Sequence, residues 1–292
     1  MKKSIRLAVL TATSALALAA AGSAFAVYTP TLAISPGNLT AGGAGANTIK
    51  FTSSSADDAT AKLTIYVPLG YTVNLSQAVG AKIGKVNAQI IAVALGGALL
   101  PLTGDIVVDD PAKYTAAPAS VACAGATAHG AVWLLNLSVA GQTLAVPVYV
   151  DKTAGAEATF ASMKLVTCLS SPNATIAQGG NSVGAKAVSV DFTFNGVLTN
   201  PATAGDNTWR ALFTPYVTGG ITTNAAGTIE SRSIVRLPAA LTFAASAGKV
   251  GGKVTEGSAG LAGLRVQIWA GPSAKKLAKL GTVKTKSDGS FS

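Results

Sequence analysis

His129 is the only histidine in the chain and the first residue to weigh for proton transfer or metal ligation. It stands in Thr127-Ala128-His129-Gly130. A nucleophilic triad around it would need a serine on a sharp elbow with a supporting acid, and no Gly-x-Ser-x-Gly occurs. A zinc site would need further ligands, and one histidine beside two cysteines that are better read as a bridge supplies too few. Asp57-Asp58 and Asp109-Asp110 are the paired acids. Glycoside chemistry wants two carboxyls facing each other across a bond, whereas neighbours on a strand point to opposite faces, so neither pair alone makes a dyad. Asp109-Asp110-Pro111 reads as turn chemistry, and neither pair fits a calcium loop. No residue is assigned a catalytic, cofactor-binding or metal role, and the chain is read as a non-enzyme.

Three further signals concern architecture or contact. Cys123 and Cys168 are the only cysteines, without Cys-x-x-Cys spacing, and in an exported chain such a pair is expected to form one disulfide. Leu100-Pro101-Leu102-Thr103-Gly104 has the letters of a sortase anchoring signal. It leads into Asp105-Ile106-Val107-Val108 and a long folded region, not an apolar span with a basic tail, so the match is read as coincidence. Among the tryptophans, Trp133 shares a face with aliphatics and belongs to the core. Trp209, near Phe213 and Tyr216, is placed at a loop rim, and Trp269 shares a face with Arg265 and Gln267. Trp209 and Trp269 are therefore the candidate platform for stacking on sugar rings.

The elements that would carry these residues begin after an export signal. Lys2, Lys3 and Arg6 precede an apolar run from Leu7 to Ala21 and then Ala24-Phe25-Ala26, a secretory signal peptide with cleavage expected after Ala26. The expected location is outside the cell or on its surface. With 49% hydrophobic and 12% charged residues the remainder can bury enough apolar surface to fold. The longest later apolar stretch, Ile90 to Leu102, is interrupted by Gly96-Gly97 and Pro101 and is shorter than the roughly 20 residues of a membrane helix, so no transmembrane span is expected after cleavage.

Period-two alternation dominates the mature chain. Leu63, Ile65 and Val67 share one face of Lys62 to Val67, and Val188, Val190, Phe192 and Phe194 share one face of Ala187 to Phe194, ahead of a turn at Asn195-Gly196. Ala131 to Asp151 reads as a hairpin turning at Ala140-Gly141-Gln142, with Pro147 marking its second arm as an edge or as a strand whose missing donor points outward. Further strands are expected in Asn47 to Thr52, Gly84 to Val93, Asp105 to Val108, Ala158 to Leu169, Arg210 to Val217 and Ser231 to Leu237. Around Ala154 to Leu165 a helix competes with a strand. The predicted fold class is all-β, antiparallel and sandwich-like over residues 27–245, as one sandwich or as two divided near Pro118.

Of a formal net charge of +10, much lies at the C-terminal end, where Lys249, Lys253, Arg265, Lys275, Lys276, Lys279, Lys284 and Lys286 face only Glu256 and Asp288. The change sets a domain boundary near residue 246. From Gly248-Lys249-Val250-Gly251-Gly252-Lys253-Val254 through Gly263-Leu264-Arg265-Val266-Gln267-Ile268-Trp269 to Ser287-Asp288-Gly289-Ser290-Phe291, residues 246–292 resemble the start of a carboxypeptidase regulatory-like domain. That is a prealbumin-type β-sandwich similar to the collagen-adhesin B-type repeats. The resemblance implies a partial β module used as a stalk, spacer or accessory unit, and related folds bind carbohydrate.

These readings converge on a secreted or surface-bound, non-catalytic structural and interaction module. The alternatives are a carbohydrate-binding module and a secreted hydrolase with scattered acids. No cofactor is implied. Expected partners are a cell-envelope polymer, a polysaccharide or another surface protein, and nucleic acid is not among them.

Overall fold

The computed structural model describes residues 28–139, 142–246, 248–256, 259–273 and 275–292. The predicted signal peptide with its Ala26 cleavage point, and the hairpin turn at Ala140-Gly141, lie outside them. The predicted alternation becomes an all-β, antiparallel fold. Its strands are β1 (Thr31–Pro36), β2 (Ala44–Thr52), β3 (Thr60–Pro68), β4 (Thr72–Val73), β5 (Lys82–Ala92) and β6 (Ala98–Asp109). After a short helix α1 (Pro118–Ala124) come β7 (Ala131–Val139), β8 (Gln142–Lys152), β9 (Ala161–Cys168), β10 (Ala185–Thr199), β11 (Gly205–Pro215) and β12 (Ile229–Leu237).

These strands form one sheet in the order β1-β2-β10-β5-β6-β7-β8-β9-β3-β11-β12, with β4 pairing β10. It runs across Pro118 without a break, so 31–237 build a single sheet. Every neighbouring pair is antiparallel, and an odd number of strands in such an order leaves the first and last running the same way. The two ends meet. Leu32 and Ile34 of β1 each donate their backbone N–H, at 3.0 Å, to the hydroxyls of Ser231 and Ser233 on β12. Serine side chains thus satisfy donors that a backbone ladder would otherwise take, and the sheet closes nearly into a barrel, which leaves few unpaired edges.

The inward face of each strand fills the interior. Trp133, Trp209, Phe51, Phe194 and Phe213 are fully buried, with ring centroids 5.4 Å apart for Phe51–Phe213, 4.9 Å for Trp133–Phe194 and 5.1 Å for Tyr71–Trp209. Burying one such side chain contributes roughly 1.5–3 kcal/mol. Trp209 therefore corrects the sequence reading. It is 0% exposed on β11, turned into the core by the same alternation that buries Ala211 and Phe213, and it offers no surface to a sugar.

Two other expectations change. The turn expected at Asn195-Gly196 is an irregularity inside β10, where Gly196 takes φ +65° and pairing with β2 resumes at Thr199. The contested segment Ala154 to Leu165 divides into a 3-10 turn, Gly155–Thr159, and then β9. The sortase-like letters Leu100 to Gly104 lie within β6, paired with β5 throughout and with β7 at Thr103 and Gly104, with Leu102 buried.

The C-terminal segment forms smaller sheets. β13 (Ala240–Ser246) pairs with β14 (Lys249–Glu256), which also pairs with β15 (Ala259–Gly260) and β18 (Ser290–Phe291), and β16 (Arg265–Ser273) pairs with β17 (Lys276–Lys284). The changeover falls at Pro238-Ala239, ahead of the charge change, because the ladder of β13 starts at Ala240. Val254 and Phe291 are its buried apolar side chains. Gly252 is required beneath Phe291, since a Cβ there would come within 2.7 Å of the ring. Among the described residues no helix is long and apolar enough to cross a membrane.

Candidate functional site

Pro147 is where the barrel wall parts. β8 is laddered to β7 from Gln142 to Val150, but its pairing with β9 runs only from Lys152 to Tyr149, opposite Met163 to Val166. A residue's N and C=O point to the same side of a strand, and the Pro147 carbonyl accepts from the Thr167 hydroxyl at 2.9 Å on the β9 side. The missing N–H of Pro147 thus lies where the ladder would continue. The two strands separate there, and the edge of β8 before Pro147 has no ladder partner on that side.

A cavity of about 540 Å³ passes through this opening. Its inner part touches Ile90, Leu102, Leu135, Leu137 and Val146, whose side chains belong to the barrel core. Its outer part touches Ala145, Pro147 and Tyr149 on the opposite face of β8, together with Ala119, Ala122 and Cys123 of α1. A space that contacts both faces of one strand must go round that strand's edge. The chain between β9 and β10 bounds the mouth with Ser170, Ser171, Gln178 and Asn181, and is itself held by bonds from the Ser171 hydroxyl to the Gly220 carbonyl (2.9 Å) and from the Tyr216 hydroxyl to the Leu169 carbonyl (2.7 Å). Among the described residues no Asp, Glu, Lys, Arg or His lines the cavity.

Helix α1 forms one wall, and its local sequence explains its limits. Pro118 occupies the first turn, where its lack of an N–H costs nothing, alanines fill the middle, and Gly125 at φ +97° ends it. Ser120 and Cys123, three apart, share its buried side. Cys123 is disulfide-bonded to Cys168 at the end of β9, as the sequence reading expected. The Lys62 ammonium donates to the Cys123 carbonyl at 2.7 Å, and burial, with Lys164 nearby, holds this amine below its ordinary pKa.

The third tie of α1 is made by the histidine. The Ser120 hydroxyl lies 3.4 Å from His129 Nε2, and His129 Nδ1 lies 3.1 and 3.0 Å from the two carboxylate oxygens of Asp151, which also accepts from the Gly130 N–H. These are the atoms of a serine–histidine–acid relay, an arrangement that the absence of a nucleophile elbow had argued against. Access decides what it can do. Ser120 is 1% exposed, the His129 side chain is wholly enclosed, and the Tyr149 ring covers it at 4.6 Å. In this geometry the Ser120 oxygen is closed off from solvent, and the three groups tie α1 to the β7–β8 hairpin.

The remaining sequence candidates are dispersed. Asp57 accepts from the Thr29 and Ser54 N–H groups and Asp58 from the Thr218 hydroxyl. Asp109 accepts from Lys113 and Tyr114, each at 2.7 Å; burial opposes its ionisation, but these bonds outweigh it and keep the carboxyl below the usual range. Asp110 caps the turn at Ala112. Among the described residues no group of three His, Cys, Asp or Glu is placed to hold a metal ion. Trp269 is 49% exposed on β16, away from Trp209 in the barrel core. Comparison with known proteins finds no family model that matches this chain and no curated protein similar to it.

Proposed function

We propose that this chain is an exported, non-catalytic binding protein whose barrel holds a small apolar molecule. The observation that carries the reading is the cavity of about 540 Å³, apolar within and open through the wall between β8 and β9. Its size falls in the range of about 300–1,000 Å³ typical of small-molecule sites. The expected result is saturable binding of the neutral fluorescent probe N-phenyl-1-naphthylamine by the purified chain, lost on Ala145→Trp, which places an indole in the passage from a site that is exposed and outside the packed core. Binding that survives this substitution overturns the reading.

A second reading is supported by Trp269, exposed on a hairpin that also carries Lys276, Lys279 and Lys284. It is the platform for an envelope polymer or polysaccharide that the resemblance to carboxypeptidase regulatory-like modules suggests. Loss of glycan retention in Trp269→Ala supports it, and equal retention by both proteins removes it.

A further inference from the structure

We infer that the occupant of the barrel is an uncharged amphiphile, with an apolar body inside and a carbonyl- or hydroxyl-bearing head group at the mouth. This rests on the cavity being a binding site and names the class of molecule it takes. Two observations decide the class. The first is that, among the described residues, the lining contains no side chain that is charged near neutral pH, its two cysteines being joined to each other. A carboxylate or ammonium carried into such surroundings would lose its hydration with no counter-ion to replace it. Lys62, next in sequence to the lining residue Leu63, spends its ammonium on the Cys123 carbonyl, and Lys186, between the lining residues Ala185 and Ala187, spends its own on the Ser55 and Asp57 carbonyls.

The second observation is the chemistry of the rim. Gln178 accepts from the Thr175 N–H and hydroxyl through Oε1, each at 3.0 Å, and Asn181 accepts from the Ala185 N–H through Oδ1 at 3.1 Å. Among the described residues these bonds engage only the carbonyl oxygens of the two amides. Both –NH2 groups keep their donors, on a rim whose hydroxyls from Thr167, Ser170, Ser171 and Tyr216 already donate to backbone carbonyls. The mouth therefore presents neutral donors from amides and acceptor lone pairs from hydroxyls. An ester, amide or alcohol head group answers both, and a carboxylate gains no charge partner.

Displacement of N-phenyl-1-naphthylamine from the purified chain by monooleoylglycerol and by oleate, at pH 8 and below their aggregation concentrations, compares one apolar chain under a neutral and an anionic head. The neutral lipid is expected to displace the probe at a concentration at least tenfold lower than oleate. Gln178→Glu with Asn181→Asp keeps the oxygens that hold the rim together and removes the amide donors. In that variant the affinity for monooleoylglycerol, taken relative to the affinity for the probe, is expected to fall at least fivefold. Equal or stronger displacement by oleate, or an unchanged relative affinity for the neutral lipid in the double variant, overturns the assignment of class and leaves the apolar cavity standing. A chain that binds no probe overturns the cavity reading itself.

Discussion

Removing the bridge, as Cys123→Ser with Cys168→Ser, tests how α1 is kept at the mouth of the cavity. The bridged residues are 45 apart in sequence. In the loop-entropy model a closed loop of that length constrains the unfolded chain by about 4 kcal/mol at 25 °C. Total stabilities of about 5–15 kcal/mol make this a large share, equivalent to a fall of roughly 8–16 °C in melting temperature for a domain of this size. The folded state retains the other two ties, from Ser120 to His129 and from Lys62 to the Cys123 carbonyl, so the barrel is expected to form. Urea titration followed by tryptophan emission reads the core, because Trp133 and Trp209 are enclosed while Trp269 is already half exposed in the folded chain. The midpoint should fall while the slope holds or rises, since the unbridged unfolded chain exposes at least as much surface. A loss below about 1 kcal/mol would refute the reasoning, by showing that α1 and β9 stay associated in the unfolded ensemble without the bond.

Other outcomes come from burial and charge. Trp209→Ala should cost about 3–5 kcal/mol and Trp269→Ala no more than about 0.5 kcal/mol in the same titration; similar losses would contradict the placement of Trp209 in the core. Burial, with Asp57 and Asp58 nearby and a bond to Thr60 offsetting it in part, pushes the Tyr28 phenol from 10.0 up to about 12. A raised folded-state value means that its contribution is complete below about pH 10 and is lost as pH rises towards 12, so Tyr28→Phe should flatten the decline in melting temperature over that window; an identical decline in both proteins would remove Tyr28 as its source. A fluorophosphonate reporter should leave Ser120 unlabelled in the native chain, as judged by mass spectrometry, and stoichiometric labelling would make the relay a reactive one.

Much of the barrel is legible one strand at a time, because alternation of apolar and polar residues is a local property. β3, β5, β7, β8 and β12 fall close to where Leu63-Ile65-Val67 and similar rows place them. β1 has no such row and escapes a sequence reading, since its role is to close the ring through serines some two hundred residues away in sequence. Sequence misplaces Trp209 for a related reason. Its neighbours Phe213 and Ala211 share its face on β11, yet which face is inward depends on pairing with β3 and β12, which no local window contains. The pair His129–Asp151 is within reach of the sequence. Once Ala131 to Asp151 is read as a hairpin with Ala131 opposite Val150, the next pair outward sets Gly130 beside Asp151 and brings His129 to its carboxylate.

The cavity depends on the most distant information. Its inner lining is indistinguishable in sequence from core, because Leu135 and Val146 alternate as any buried row does. What separates a packed interior from an open one is whether the next strand continues alongside, and the one residue that bears on this is Pro147. In an internal strand a proline must sit where no partner wants its N–H. The sequence admits two resolutions, an edge strand or an outward donor, and the fold uses a third. β8 is paired on both sides at Tyr149 and Val150 and on the β7 side alone from Pro147 back towards its start, so that a single residue marks both the end of a ladder and the beginning of an opening. Restoring a donor there, as Pro147→Val, is expected to leave the rate of probe uptake unchanged, because α1, the disulfide and the tethered β9–β10 chain hold the gap; slower uptake in the variant would make the missing hydrogen bond itself what keeps the strands apart.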